Sequence, residues 1–262
     1  MMGIMSAMPE EIDLLIAEMG SQAETISHGM RTYHRGLLWG VPVTLVFSRW
    51  GKVAAATTST HLISALGVKE ILFSGVAGAV DPQLRIGDVI VAAHLYQHDM
   101  DARPLFQRYE IPLLNKSAFP ADQRIGEELL RAARHFLEVD FRSAVEASVR
   151  SKFEIVDPKV VTANMGSGDK FFAHRGEIED LRSRLPIAGV EMEGAAVAQV
   201  CYEHSIPLGV LRTISDRADS AAPIDFLEFT GRVAAIYSRG IIKNLITNRT
   251  GSIDGVKEIT GN

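Results

Sequence analysis

The sequence predicts an α/β protein: one domain built on a mixed, largely parallel sheet flanked by helices on both sides. Three observations carry this. Strand-like and helix-like patterns alternate through most of the chain, which is how a sheet with covering helices is written in sequence. The length of 262 residues suits one large domain, and no shift in composition marks a seam. Hydrophobic residues make up 47% and charged residues 23%, an ordinary globular balance that supports a sizeable core without staples.

In chain order, residues 3–8 form a short apolar run that reads as a buried strand. Pro9 then suits the first turn of a helix, and Glu10 and Glu11 favour its N-terminus. That helix is expected to reach Met19, with Ile12, Leu15, Ile16 and Met19 on one face. Residues 30–36 and 41–47 read as antiparallel strands around Trp39-Gly40. Residues 53–66 read as a helix ended by Gly67. Residues 69–75 form a β run entering a turn of small residues, and 89–93 form another strand. Residues 99–120 hold several prolines and little periodicity, the signature of a long loop. Then follow a helix at 123–137, a strand at 159–163, a helix at 174–185, a short strand at 187–190, a helix at 194–204 and a strand at 208–214. A final helix is expected at 225–246. The predicted domain is 1–246; residues 247–262 are polar and expected to form a flexible tail.

Composition excludes several classes. The net charge of −5 and the lack of a Lys/Arg cluster argue against nucleic acid and anionic membranes as partners. The single cysteine, Cys201, cannot form an intramolecular disulfide, and its neighbours read as a packed helix face. No apolar stretch approaches a membrane span, and the apolar N-terminus is too short for a signal peptide, so a cytoplasmic protein is expected. No metal and no cofactor are expected. His98-Asp99-Met100-Asp101 would be the metal candidate, but on a strand Asp99 and Asp101 point together and His98 away. Gly166-Ser167-Gly168-Asp169-Lys170 lacks the spacing of a phosphate loop.

Polar clusters follow five predicted strands: Glu10-Glu11, Ala77-Gly78, Asp169, Glu191-Met192-Glu193 and the run from Arg212 to Asp216. In α/β sheets ligands gather at such carboxyl ends. Each cluster also has a plain structural reading. Glu10, Glu11 and Glu193 suit helix starts, Asp216 suits a pair with Arg212 or Arg217, and 74–78 suits a close-packed turn.

In order and spacing these clusters resemble the 5′-methylthioadenosine/S-adenosylhomocysteine nucleosidases of the nucleoside phosphorylase superfamily. The resemblance runs through residues 3–8 with Glu10-Glu11, Gly51-Lys52-Val53-Ala54-Ala55, Gly75-x-Ala77-Gly78, Gly87-Asp88-Val89, His98-Asp99-x-Asp101 and Ser167-Gly168-Asp169 with Phe171. Its most specific pieces are Val190-Glu191-Met192-Glu193-Gly194-Ala195-Ala196 and Arg212-x-Ile214-Ser215-Asp216-x-Ala218-Asp219. It implies hydrolysis of an N-glycosidic bond, with Glu11 activating water and Asp216 protonating purine N7. It implies a substrate-binding set of Met8, Ala77, Gly78, Phe171, Phe172, Glu191, Met192, Glu193, Arg212, Ser215 and Phe226. Within that set Glu193 would bind the ribose hydroxyls, Met192 would pack beneath the ribose, and Phe171 would stack on adenine while the Phe172 backbone reads its edge. Arg212 would orient Glu193, Ser215 would hold Asp216, and Phe226 would line the alkylthio pocket. It also implies a homodimer in which Ala102, Leu105 and Phe106 close the pocket of the neighbouring subunit. The chemistry suits paired carboxyls: one starts protonated in a dry setting, and the other starts ionised.

The sequence departs from the family pattern in two places. Ser48-Arg49-Trp50-Gly51 stands where Ser-Gly-Ile-Gly is usual, and Val76 stands where serine is usual. Both put the 5′ preference in question. Other readings are a phosphorylase using Arg49 and Arg85 for phosphate, a futalosine-type nucleosidase, and a nucleoside-binding protein without catalysis.

Overall fold

The computed structural model describes residues 1–172, 174–216 and 222–257. Strand β1 (Met2–Ser6) is buried along its whole length. It lies parallel to β4 (Val41–Phe47) on one side and to β5 (Glu70–Ala79) on the other. Beyond β4 the sheet continues antiparallel through β3 (Arg31–Leu38) to β2 (Glu24–His28) at the edge. Strand β2 was not expected: Ile26 is its one apolar residue and the other four are exposed, so no apolar period announces it.

The other half of the sheet closes on itself. Strand β5 pairs parallel with β10 (Leu208–Asp216), which pairs antiparallel with β6 (Val89–Gln97). Strand β6 pairs antiparallel with the short β7 (Phe119–Pro120) and runs parallel to β8 (Val160–Ser167), and β8 runs parallel to β9 (Gly189–Glu191). Strand β9 returns to the far end of β5 at Gly78 and Ala79. The mixed sheet is therefore a five-stranded ring with an open wing. The ring requires β5, β6, β8 and β10 each to run past the ends that local pattern assigned them.

Side chains along β5 alternate between two cores, as the strand period demands. Leu72 and Val76 belong to one, and Ile71, Phe73 and Ala77 to the other. The first core is covered by α1 (Asp13–Met19), α3 (Gln123–His135) and the last helix. The second is covered by α2 (Lys52–Ser64) and the helix at Gly194–Glu203, which pack on each other. Between α3 and β8 lie two short helices, α4 (Phe141–Ala144) and α5 (Ala147–Lys152), then α6 (Arg175–Arg184) follows β8 and α7 (Gly194–Glu203) follows β9.

The end of the chain differs from expectation. The predicted final helix starts earlier and ends later than expected: α8 (Ala222–Phe229) continues through a π-helical turn at Thr230–Ala234 into α9 (Ala235–Lys257). Helix α9 thus runs on into the segment expected to be tail. Arg249 explains part of this, because it reaches back to Glu70 (2.6 Å) and to Glu128. Among the described residues no helix is long and apolar enough to cross a membrane.

Candidate active site

The carboxyl ends of β1, β5, β9 and β10 converge on one pocket. Its lining includes Ala7, Met8, Glu11, Gly75–Gly78, Val190, Glu191–Glu193, Arg212, Ser215 and Asp216, with Trp50, Lys170, Phe171, Phe172 and Phe226 around the mouth. Four of the five expected clusters contribute directly. The fifth does so through its neighbours, because Asp169 lies outside the lining while Lys170–Phe172 form a wall.

Glu11 sits on a tight turn, Pro9–Glu11, just past β1 and is 2% exposed. Its Oε2 accepts hydrogen bonds from the backbone N–H of Ala7 (2.8 Å) and Met8 (3.0 Å), and Oε1 accepts one from Val76 N–H (3.2 Å). Burial pushes its pKa up to about 7 against the opposing pull of Arg212 and these three N–H groups. Glu10 is exposed and takes no part in the lining. Gly75 makes room for this carboxylate: a Cβ there would stand 2.8 Å from Glu11 Oε1.

Asp216 ends β10 and is 7% exposed. Ser215 Oγ donates to its Oδ2 at 2.7 Å. The motif's Ala218 and Asp219 lie outside the described residues. Glu193 immediately precedes α7, is buried, and accepts the Gly51 N–H at 2.8 Å through Oε1. Burial, with Glu191 beside it, raises its pKa above the usual carboxylate range.

Glu191 is locked underneath. It accepts the backbone N–H groups of Glu193 and Gly194, caps the start of α7, and bonds Ser167 Oγ. Its Oε2 takes Arg212 Nη2 at 2.8 Å. Arg212 spends its other nitrogen on the carbonyls of Phe73 and Leu211, and its guanidinium lies 4.1 Å from the centre of the Phe73 ring. Arg212 therefore pairs with Glu191, not with Glu193 as expected. The reason is position: Glu191 meets Arg212 and Ser167, whereas Glu193 meets the Gly51 N–H at the start of α2.

Three aromatic rings run along the mouth, with Phe226 between the other two. Trp50 meets Phe226 edge-on at 6.0 Å, and Phe226 meets Phe171 edge-on at 5.9 Å. Sequence reading left the place of Trp50 open; it lines the pocket and is 51% exposed. Val76 also lines the pocket, so the hydroxyl usual at that position is missing from the site itself. Arg49 turns away and donates to Met30 O at 2.5 Å. Phe172 packs against His98 (5.3 Å, edge-on).

The segment at 98–101 does not follow the strand alternation expected of it, because β6 ends at Gln97. Asp99 binds Lys52, while Asp101 turns to Arg103. Leu105 is 84% exposed, and neither it nor Ala102 or Phe106 lines this chain's own pocket.

A domain whose strands close into this ring, with a carboxylate pocket at their carboxyl ends, has a known counterpart. The chain belongs to the phosphorylase superfamily, whose family model matches residues 2–247. Within it the chain is similar over nearly its whole length to nucleosidases. It is 34% identical over 247 residues to the aminodeoxyfutalosine nucleosidase of Helicobacter pylori strain 26695, covering 93% of this chain and 98% of the relative. It is 32% identical over 252 residues to the 5′-methylthioadenosine/S-adenosylhomocysteine nucleosidase of Colwellia psychrerythraea, covering 96% and 97%. Among solved structures, the futalosine hydrolase of Helicobacter pylori superposes with a TM-score of 0.79 at 30% identity, covering 94% of this chain and 97% of that one. The Colwellia psychrerythraea nucleosidase in complex with adenine superposes with a TM-score of 0.80 at 30% identity, covering 94% of each.

Proposed function

We propose that the chain hydrolyses the N-glycosidic bond of 5′-methylthioadenosine, S-adenosylhomocysteine or both, releasing adenine and the thioribose. The observation that carries this reading is the placement of Glu11 and Asp216 in one dry pocket with Glu193 between strand ring and helix α2. Glu11 Oε1 accepts a single backbone bond, which leaves a lone pair for a water molecule. A carboxylate with a pKa near 7 is well matched to take a proton from that water at neutral pH. The water oxygen bonds to C1′ as the C1′–N9 electrons pass into the purine, and Asp216 delivers a proton to N7 so that adenine leaves neutral. Glu193 holds the ribose hydroxyls, Met8 and Met192 pack on the sugar, and Phe171 and Phe172 flank the base beside Ala77 and Gly78.

The pocket's cations favour water over phosphate as the attacking group. Among the described residues only Lys170 and Arg212 line it. Arg212 is committed to Glu191 and two carbonyls, and Lys170 pairs with Glu177 at 2.6 Å. Arg49 and Arg85 do not face it. A second reading, a nucleosidase for futalosine-type substrates, is favoured by the 34% identity to the Helicobacter pylori relative and by the Trp50 departure at the mouth.

The proposal includes a cytoplasmic homodimer in which Ala102, Leu105 and Phe106 of each subunit cover the neighbour's pocket mouth. An apolar side chain as exposed as Leu105 suits a covered surface. The test is adenine release from methylthioadenosine in phosphate-free buffer, repeated with phosphate. Equal release in both is expected; release only with phosphate would make the chain a phosphorylase.

A further inference from the structure

Three motifs from the sequence, Gly51-Lys52, His98-Asp99 and Gly168-Asp169, contribute no chemical group to the reaction. The structure joins them in a closed ring of contacts. Lys52 Nζ donates to Asp99 Oδ1 at 2.6 Å, Asp99 Oδ2 accepts the Asp169 N–H at 3.0 Å, and Asp169 Oδ1 accepts the Lys52 N–H at 2.8 Å. Lys52 Nζ also reaches Gln97 Oε1 at 3.2 Å. Each residue therefore bonds both others, and three separate segments are tied at one point: the start of α2, the end of β6 and the strap after β8.

None of the three ring members lines the pocket, but their sequence neighbours do. Beside Lys52 stand Gly51, whose N–H holds Glu193, and Trp50 of the aromatic mouth. Beside Asp169 stand Lys170, Phe171 and Phe172 of the facing wall. Gly51 adopts φ +93°, and a Cβ there would lie 3.0 Å from Asp169 Oδ1. The ring thus sets how far the Glu193 side of the pocket stands from the Phe171 side.

We propose that Lys52 and Asp99 are positioning residues for substrate binding, holding Glu193 and the aromatic walls at the spacing a nucleoside needs. This rests on the nucleosidase reading. Magnitudes separate it from a stabilising role. The Lys52 and Asp99 side chains are 17% and 31% exposed, and a partly solvated pair contributes little to stability. A displaced binding wall, by contrast, loses contacts made equally to bound substrate and transition state, which weakens binding without touching the chemical step. The ring acts on groups that meet bound substrate and transition state alike, so its loss should appear in KM more than in kcat.

The experiment compares wild type with Lys52→Met, Asp99→Ala, the gentler Asp99→Asn and the Lys52→Met/Asp99→Ala double variant. Adenine release from methylthioadenosine is measured with adenine binding by calorimetry and with Tm. Each removal should raise KM and the adenine Kd about tenfold, leave kcat within about threefold, and move Tm by no more than about 3 °C. Asp99→Asn, which keeps an acceptor for Asp169 N–H, should lie between wild type and Asp99→Ala. The double variant should be no worse than either single one, because all act through one ring. Wild-type KM in Lys52→Met and Asp99→Asn, a loss confined to kcat, or a KM rise that tracks a collapse in Tm would each overturn the inference. Failure of wild type to release adenine would overturn the nucleosidase reading and this inference together, whereas release with unaltered variants would overturn the inference alone.

Discussion

Arg212 and Glu191 face each other at 2.8 Å in the pocket lining, with side chains 1% and 4% exposed. Glu191 in turn accepts the N–H of Glu193 and that of Gly194, the first residue of α7. Pocket and helix are therefore set by one buried pair.

Breaking a buried pair leaves an uncompensated charge, at a cost of about 3–5 kcal/mol. Arg212→Met is expected to lose stability of that order in urea unfolding. Adding Glu191→Gln should recover part of it. Near-wild-type stability in Arg212→Met would show that the charge is relieved in another way.

Glu11→Gln and Asp216→Asn should each lower kcat by about 100-fold or more, the usual weight of a general acid or base. Their circular dichroism should match wild type. Turnover near normal in either variant would remove that residue from the proposed chemistry.

The raised pKa of Glu11 has two consequences. In its proposed role as base it would work ionised, so kcat/KM should rise with pH up to about 7 and then level. For stability the sign is opposite. Between the ordinary glutamate value of 4.5 and about 7 the folded state holds a proton that the unfolded state releases. The Glu11 contribution to stability is therefore present below that window and lost as pH rises through it. Glu11→Gln should gain on wild type in urea unfolding between pH 5 and 8. A constant difference across that range would contradict the shift.

Gly75→Ala places a methyl group 2.8 Å from Glu11 Oε1 and 3.5 Å from Arg212 Cζ, both fixed by several bonds. The carboxylate must move, and kcat is expected to fall about tenfold or more because a misplaced base loses its aim. Unchanged kinetics, with the substitution verified by mass, would mean that Glu11 has slack the hydrogen bonds do not suggest.

Trp50 offers an aromatic face at the mouth beside Phe226. Trp50→Ala should raise KM for substrates with an apolar 5′ substituent by about fivefold, the weight of one aromatic contact. The ranking of methylthioadenosine, S-adenosylhomocysteine and a futalosine-type nucleoside should shift with it. A substrate panel that ranks identically in both proteins would place the 5′ preference elsewhere.

The α/β class and most elements were legible in the chain because apolar periods of 2 and 3.6 are local properties. That Glu11, Glu193 and Asp216 reach one pocket was legible because each lies at or just past a predicted strand end, whereas the roles proposed for them came from the family resemblance alone. Strand β2 escaped because an exposed edge strand has no apolar face to announce it. The Arg212 partner was misjudged between two glutamates two residues apart, since their directions depend on where β9 meets β5. The sequence by itself determined the class, the order of elements and the residue types delivered to one rim. Only the tertiary structure decided that β5, β10, β6, β8 and β9 close into a ring. It also decided that Arg212 takes Glu191, that Lys52 is tied to Asp99 and Asp169, and that Trp50 joins the pocket. These pairings join residues far apart in the sequence: Arg212 and Glu191 are 21 residues apart, Gly51 and Glu193 142. Their energy depends on distance and burial, which the packing of strands and helices sets and no local pattern records.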